Sequence, residues 1–305
     1  MKTYVQQIML GTVTSSEAGA LSALRRIKEA GYDGIELNRF MIHPSSLAVR
    51  MLTRAAGMPT GNGGKLPWRE MLAETGLSVA SLHTDLGSLE SDPAGAAEEA
   101  RQFGTDRLVI TGMYRFDYSD AGSVRSLAER LNKAGTKLRG EGIALLYHNH
   151  NTELLRCGSA NPADANSGSF APGFASPGPQ RAYDILIDET DPEAVNFEFD
   201  SYWFTDGGAD AAWWMKRLGS RMKLWHINDR GSRQAGRAVT PILKQDSMEL
   251  GTGNMDLEGL LAAARSLGVG EIILETHRGW IDKDPLKSIE LSSRWLDAHA
   301  RVKEQ

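Results

Sequence analysis

The sequence predicts a single (β/α)8 barrel, and three observations lead to this prediction. Short apolar segments recur along all 305 residues and alternate with helical patterns. There are eight such segments, which is the number of parallel strands that closes into a barrel of this kind. No Gly-rich phosphate turn follows the first segment, so an open doubly wound sheet is the weaker alternative. Because such barrels reach this length undivided, we expect one domain over residues 1–305.

Each predicted strand is a short apolar run bounded by turn residues, as expected for a parallel sheet that is buried on both faces. The runs lie at residues 5–13, 31–38 (with its leading turn), 77–82, 108–111, 143–147, 195–199, 222–227 and 271–274. Helical patterns lie at residues 16–30, 94–103, 123–139, 181–189, 209–218, 257–267 and 285–302. This alternation indicates right-handed crossovers between parallel neighbours.

Two segments interrupt the alternation, and both follow strands on the face where barrels bind ligands. Residues 157–180 are dominated by Gly, Ser, Ala, Pro and Asn, so they offer little apolar area for a core. They are interpreted either as a flap over the site or as a passive surface insertion. Residues 55–66, after the second strand, are also Gly-rich.

The composition argues against several classes of protein. The formal net charge is −5 and no run of Lys or Arg occurs, so nucleic acid is not expected as a partner. Cys157 is the single cysteine, so no intrachain disulfide can form. The first residues lack a continuous apolar stretch, and no run of about 18 apolar residues occurs, which argues against a signal peptide and a membrane span. We therefore expect a cytoplasmic protein with no membrane partner, and the sequence leaves formation of a homo-oligomer open.

Polar side chains gather at the carboxyl ends of the predicted strands, where barrel enzymes place their reactive groups. The set includes five of the seven histidines. Its members are Glu36, His83, His148, Asn149, His150, Glu153, Asp200, Trp203, His226, Asp229, Glu275 and His277. Imidazoles and carboxylates that converge from several strands form a mixed N/O site of the kind that binds Mn²⁺, Co²⁺, Zn²⁺, Fe²⁺ or Mg²⁺. The sequence therefore predicts a divalent-metal site.

Several of these residues also have purely structural interpretations. Glu36 can pair with nearby Arg39, His83 can hydrogen-bond within its loop, and Trp203 can pack on top of the barrel. The pair Gly251 and Gly253 resembles a phosphate-binding turn, but a tight turn before the seventh helix explains it better.

Six motifs occur in an order and spacing that can be compared with known families. They are Gly31-Tyr-Asp-Gly-Ile-Glu36, Tyr147-His-Asn-His150, Val195-Asn-Phe-Glu-Phe-Asp200 with Trp203, His226-Ile-Asn-Asp229, Gly251-Thr-Gly253 with Asp256, and Glu275. In these motifs the chain resembles the xylose isomerase-like TIM-barrel superfamily, the sugar phosphate isomerase/epimerase group that also contains inosose dehydratases. The resemblance covers nearly the whole chain outside residues 157–180.

The resemblance implies one divalent metal ion held by residues at the ends of strands five to eight. It makes Asp200, His226 and Glu275 the ligands from strands six, seven and eight. Strand five commonly supplies a glutamate in this family, whereas His148 stands at that position here. We expect His148 to be the ligand, with Glu153 as the alternative.

The predicted function is that of a metal-dependent isomerase or epimerase whose partner is a ketose-like or modified sugar or another small polyol. A divalent ion that binds a carbonyl and its neighbouring hydroxyl acidifies the C–H bond between them. Glu275 is the expected base, with His150 and Glu153 as candidates for proton delivery. The expected substrate contacts are Glu36, His83, Asn149, Trp203 and Asp229.

Three alternatives stand beside this prediction. A lyase or dehydratase acting on a keto-sugar, keto-glycoside or inosose uses the same proton abstraction. An enzyme like the DNA-repair endonucleases of the superfamily needs more metal ligands and a basic face for DNA, which the acidic charge disfavours. A non-catalytic sugar-binding barrel has no need of Asp200, His226 and Glu275.

Overall fold

The computed structural model places eight parallel strands in a closed barrel. It describes residues 1–44, 51, 64–158, 180–234, 236–237 and 240–301. The segments predicted at 157–180 and 55–66 therefore lie outside the described residues except at their ends.

Ten strands are described, and all but two of them belong to the barrel. They are β1 (Lys2–Gln6), β2 (Gly34–Asn38), β3 (Ser78–Thr84), β4 (Arg107–Thr111), β5 (Ala144–His148), β6 (Val195–Asp200), β7 (Met222–Ile227), β8 (Asp229–Gly231), β9 (Asp246–Met248) and β10 (Glu271–Leu274). Strands β1 to β7 follow one another around the barrel, and β10 closes it by pairing in parallel with both β7 and β1. The short strands β8 and β9 form an antiparallel pair of their own.

Helices cover the outside of the barrel and connect its strands. They are α1 (Glu17–Glu29), α2 (Arg39–Ile42), α3 (Trp68–Thr75), α4 (Leu86–Ser91), α5 (Pro93–Gln102), α6 (Ala121–Gly140), α7 (Ala182–Glu189), α8 (Ser201–Asp206), α9 (Ala211–Leu218), α10 (Leu257–Ser266) and α11 (Pro285–His299). Most of them begin at an aspartate or serine whose side chain accepts a backbone N–H of the first turn, which stabilises the helix start. Within the described ranges, no helix combines the length and the hydropathy that crossing a bilayer requires.

Several elements differ from the sequence prediction. The first strand was predicted at residues 5–13, but β1 ends at Gln6 and Gln7–Leu10 form a 3-10 helix. That prediction is wrong beyond Gln6, because a short apolar run does not distinguish a strand from a buried helical turn. The sequence also does not predict the short elements α2, α3, α4, α8, β8 and β9. Of these, α3 ends at Thr75 and is followed by Gly76, which has a φ of 64°. The other predicted strands and helices are confirmed to within a few residues.

An apolar layer, here called the floor, fills the barrel interior. Its six buried side chains are Tyr4, Ala80, Val109, Leu146, Leu224 and Ile273. Residues two apart on a strand point to the same side, so on five of the strands the next inward side chain lies two residues beyond the floor. These side chains are Gln6, Thr111, His148, His226 and Glu275. The strand period therefore stacks a polar layer on the floor, toward the carboxyl ends of the strands.

Candidate metal centre

Buried imidazoles and carboxylates converge in two overlapping groups of four above the floor. The upper quartet consists of His148, Asp200, His226 and Glu275, and the lower quartet of Glu36, His83, Glu198 and His226. Within each quartet the nearest ligand atoms all lie within 4.8 Å of one another. Glu198 precedes Asp200 by two residues on β6, so both side chains point inward, with Glu198 the deeper of the two.

The upper quartet brings together the four metal ligands that the sequence predicts. His148 and Asp200 end strands β5 and β6, His226 lies on β7, and Glu275 directly follows β10. The Nδ1 atom of His226 lies 2.9 Å from Oε2 of Glu275 and 4.0 Å from Oδ2 of Asp200. Glu275 is the most exposed member at 8%, so it forms the side of the quartet nearest to solvent.

Asp200 is oriented by its own backbone and by Asn149. The Asn149 amide donates to the carbonyl of Asp200 and accepts its backbone N–H, each at 3.0 Å. One carboxylate oxygen, Oδ1, accepts the Trp203 N–H and caps α8. The other oxygen, Oδ2, is buried and makes no hydrogen bond to any described residue, so it is available to a metal. Asn149, predicted as a substrate contact, thus holds Asp200 in place.

The lower quartet is more tightly packed. Nε2 of His83 lies 3.0 Å from Oε2 of Glu36 and 2.9 Å from Oε2 of Glu198. Nε2 of His226 lies 2.7 Å and 3.2 Å from the same two oxygens. The alternative in which Glu36 pairs with Arg39 is not formed, because Arg39 pairs with Glu99 at 2.7 Å.

Neighbouring polar groups hold the lower quartet in position. Gln6 donates from Nε2 to Oε2 of Glu36 at 3.2 Å, and the Ser81 hydroxyl donates to its other oxygen. Nδ1 of His83 lies 2.5 Å from the hydroxyl oxygen of Thr111. A metal ligand must be a neutral imidazole, so a metal-bound His83 would donate from Nδ1 to Thr111 and direct its Nε2 lone pair to the ion.

Burial and charge act in opposite directions on these groups. Burial lowers the pKa of His83, but the carboxylates of Glu36 and Glu198 overcome this effect and raise it to about 10. Burial also raises the pKa of Glu198, whereas His226 and His83 hold it well below its ordinary value. For Glu275, His277 and His226 likewise outweigh burial and lower the pKa. The site therefore contains ionised carboxylates stabilised by imidazoles.

The donor set fits a divalent metal ion. Four carboxylates meet here, and within the described ranges all their ion pairs are with histidines rather than with Lys or Arg. Buried atoms without a hydrogen-bond partner among the described residues include Nε2 of His83, Nδ1 of His148, both carboxylate oxygens of Glu198 and Oδ2 of Asp200. Buried carboxylates, and buried nitrogen or oxygen atoms that lack a hydrogen-bond partner, are stabilised when they coordinate a cation.

His150 and Glu153 lie beside the upper quartet rather than in it. The ring centroids of His150 and His148 are 5.1 Å apart. Burial, followed by the charge of His148, lowers the pKa of His150 to about 3, so its ring is neutral at neutral pH. Glu153 is buried and accepts from the Tyr147 hydroxyl at 2.7 Å and from the His150 N–H at 2.9 Å. Burial raises the pKa of Glu153.

Trp203 and Asp229 lie in different surroundings. The partly exposed Trp203 ring lies 4.6 Å from the His277 ring and 5.6 Å from the His150 ring, so it borders the mouth of the site. Both oxygens of buried Asp229 accept backbone N–H groups, from Gly251 and Gly253 on one side and from Arg230 and Met255 on the other. A Cβ on Gly253 would lie 2.4 Å from Oδ1 of Asp229, which explains this glycine by close approach.

Sequence reasoning missed Glu198 as a site residue. Glu198 lies within the apolar strand motif that ends at Asp200. The available signal was its position two residues before Asp200, because side chains two residues apart on a strand point to the same side, here into the barrel. Gln6, Ser81 and Thr111 were missed as well. Single polar residues on predicted strands give no comparable signal.

Comparison with known proteins gives the family. The family described as xylose isomerase-like TIM barrel matches residues 24–299. An inosose dehydratase of Mesomycoplasma hyopneumoniae (strain 7448) is 30% identical over 190 residues, which cover 56% of this chain and 52% of that protein. The chain thus spans about half the length of the curated relative that it matches.

Solved structures agree on the fold. A sugar phosphate isomerase/epimerase from Parabacteroides distasonis ATCC 8503 superposes with a TM-score of 0.72 at 20% identity, covering 99% of this chain and 100% of that chain. The IolI protein with a bound zinc atom gives a TM-score of 0.62 at 16% identity, with 97% of both chains covered. At these identities the likeness shows the fold alone. From the match over residues 24–299, the chain belongs to the xylose isomerase-like TIM-barrel family and is an enzyme of that superfamily.

Proposed function

We propose that this chain is a divalent-metal-dependent isomerase or epimerase of a ketose-like or modified sugar. The observation that carries the proposal is the upper quartet, in which two carboxylates and two imidazoles meet at the carboxyl ends of four strands. A divalent cation bound there supplies the Lewis acidity that acidifies a C–H bond between a carbonyl and a hydroxyl group. The upper quartet suits Mn²⁺, Co²⁺, Zn²⁺, Fe²⁺ or Mg²⁺ because its ligand atoms are a mixture of nitrogen and oxygen.

We assign proton removal from the substrate carbon to Glu275. Its carboxylate lies on the solvent side of the quartet, with Oε2 held by Nδ1 of His226 at 2.9 Å. Its lowered pKa means that it carries no proton at neutral pH, as a general base requires. Oε1 lies 3.8 Å from Nδ1 of His277 and is the freer oxygen.

We assign proton return to His150, with Glu153 as the alternative. The His150 ring lies beside the upper quartet, with its centroid 5.1 Å from that of His148, so it is placed to relay a proton to the substrate. Glu153 fixes the His150 backbone and is fully buried, so it reaches a substrate less directly. Trp203 offers an aromatic face to the C–H edge of a sugar. Two other predicted substrate contacts, Glu36 and His83, lie in the lower quartet. There Oε2 of Glu36 is 2.7 Å from Nε2 of His226 and 3.0 Å from Nε2 of His83.

A lyase or dehydratase is the second candidate, favoured by the partial likeness to an inosose dehydratase. It begins with the same proton removal by Glu275 and ends with loss of a β-hydroxyl group. The same carboxylate geometry serves both reactions, so the products distinguish them.

The experiment is deuterium exchange in D₂O with metal-loaded protein and a panel of ketoses and inososes, followed by NMR. Exchange at the carbon next to the carbonyl, with a new sugar isomer or epimer as product, supports the main proposal. Exchange with loss of water supports the second candidate. Full metal occupancy of the upper quartet with no exchange into any member of the panel would contradict both.

A further inference from the structure

We infer that the lower quartet is a second divalent-cation site, distinct from the one assigned to catalysis. Three of its ligands, Glu36, His83 and Glu198, are not members of the upper quartet.

The spacing of the lower ligand atoms is that of ligands around one ion. The four contacts between the two imidazole nitrogens and the two carboxylate oxygens measure 2.7 to 3.2 Å. Adjacent ligands at about 2.1 Å from a divalent ion lie about 3.0 Å apart in an octahedron and about 3.4 Å apart in a tetrahedron. The observed spacings lie close to the octahedral value.

Hydrogen bonding accounts for only part of this packing. The shortest of the four contacts, from Nε2 of His226 to Oε2 of Glu36 at 2.7 Å, is a hydrogen bond. Nε2 of His83 is within 3.0 Å of two carboxylate oxygens, yet it forms a hydrogen bond with neither. Both oxygens of Glu198 likewise lack a hydrogen-bond partner among the described residues, although the side chain is fully buried. Close contact without hydrogen-bond alignment is the arrangement of atoms that face a common cation.

The charges divide equally between the two quartets. Without His226, the upper quartet keeps His148 with two carboxylates, and the lower quartet keeps His83 with two carboxylates. Each set then carries two negative charges, which one divalent cation neutralises.

His226 lies between the two quartets and faces both. Its Nδ1 atom faces Glu275 and its Nε2 atom faces Glu36 and Glu198. A neutral imidazole has one free lone pair, so it serves one ion at a time. The ion that lacks this ligand still keeps one imidazole and two carboxylates, a donor set that suits Mn²⁺, Co²⁺ or Fe²⁺.

The test is the number of ions per chain in the full-length protein, stripped with a chelator and dialysed against excess Mn²⁺ or Co²⁺. We expect about two ions in the wild type and about one in Glu198→Gln and in Glu36→Gln, two separate variants that each keep side-chain volume. Glu249→Gln is the matched control, because Glu249 is a buried glutamate whose partners are Ser288 and Arg233. This control should keep two ions.

A second measurement uses the wild type and does not depend on a variant. Two Mn²⁺ ions on either side of one imidazole should give a broadened, spin-coupled EPR spectrum, whereas Glu198→Gln should give the spectrum of an isolated ion. One ion per chain at saturation, bound equally by the wild type, Glu198→Gln and Glu36→Gln, would overturn the inference. A single ion kept in Asp200→Asn and lost in Glu198→Gln would instead place the cation in the lower quartet and contradict the proposed function.

Discussion

The substitution Glu275→Gln separates metal binding from proton removal. It keeps an oxygen ligand and the side-chain volume but replaces one carboxylate oxygen with an amide nitrogen, which removes the negative charge and the basic lone pair. A positioned general base contributes roughly 10²–10⁴-fold, so the exchange rate should fall by that factor. This corresponds to about 2.7–5.4 kcal/mol of activation free energy. The cation occupancy, measured at saturating Mn²⁺, should fall much less.

The assay is deuterium exchange into a sugar that the wild type exchanges, at Mn²⁺ concentrations that saturate each variant. Asp200→Asn, which removes a ligand without removing the base, should recover most of its exchange activity in excess metal. Glu249→Gln makes the same chemical change at a buried glutamate outside the site and should exchange at the wild-type rate. If saturating metal restores Glu275→Gln to the wild-type rate, Glu275 is not the base, and His150 and Glu153 are the next candidates.

Three further predictions concern stability, substrate binding and loop structure. In protein stripped of metal by a chelator, the pKa of His83 is about 10 against an ordinary 6.5, so the stabilisation of the fold by the His83 charge is complete below pH 6.5 and is lost as the pH rises toward 10. The melting temperature should decline over this pH range, and an equal decline in His83→Gln would contradict the prediction. Trp203→Ala should raise KM roughly 2- to 10-fold with kcat nearly unchanged, and steady-state kinetics showing the reverse would exclude a platform role. Asp229→Ala leaves four backbone N–H groups without their acceptor, so the free energy of unfolding should fall by on the order of 3 kcal/mol, and an unchanged urea midpoint would refute this.

The barrel and the strand-end positions of the upper quartet could be predicted because both depend on local, periodic signals, whereas the choice of these four ligands among the strand-end residues came from the family resemblance. Apolar runs mark strands, and the residue that follows such a run lies at the carboxyl edge. His148, Asp200 and Glu275 were placed in this way, and the structure brings them together with His226. The one misjudged strand, at residues 5–13, has an apolar run whose second half is a buried 3-10 helix.

The lower quartet could not be predicted, because it depends on the stagger of strands that are distant in sequence. Glu36 and His226 are 190 positions apart, and their contact is set by how β2 and β7 face each other across the barrel. Glu198 lies within an apolar motif, so the sequence indicates that it is a strand residue but not that it belongs to the site. The assignments of Asn149 and Asp229 as substrate contacts were made from their strand-end positions, whereas the structure shows both engaged with backbone groups.

Anomalous X-ray diffraction from crystals loaded with Mn²⁺ or Zn²⁺, collected at the absorption edge of the metal, tests the upper quartet directly. We expect a strong anomalous peak bonded to His148, Asp200 and Glu275, at about 2.0–2.3 Å from the ligand atoms. The peak should disappear in the Asp200→Asn variant at limiting metal. Loaded crystals with no anomalous peak among these side chains would contradict the claim that they form a metal centre.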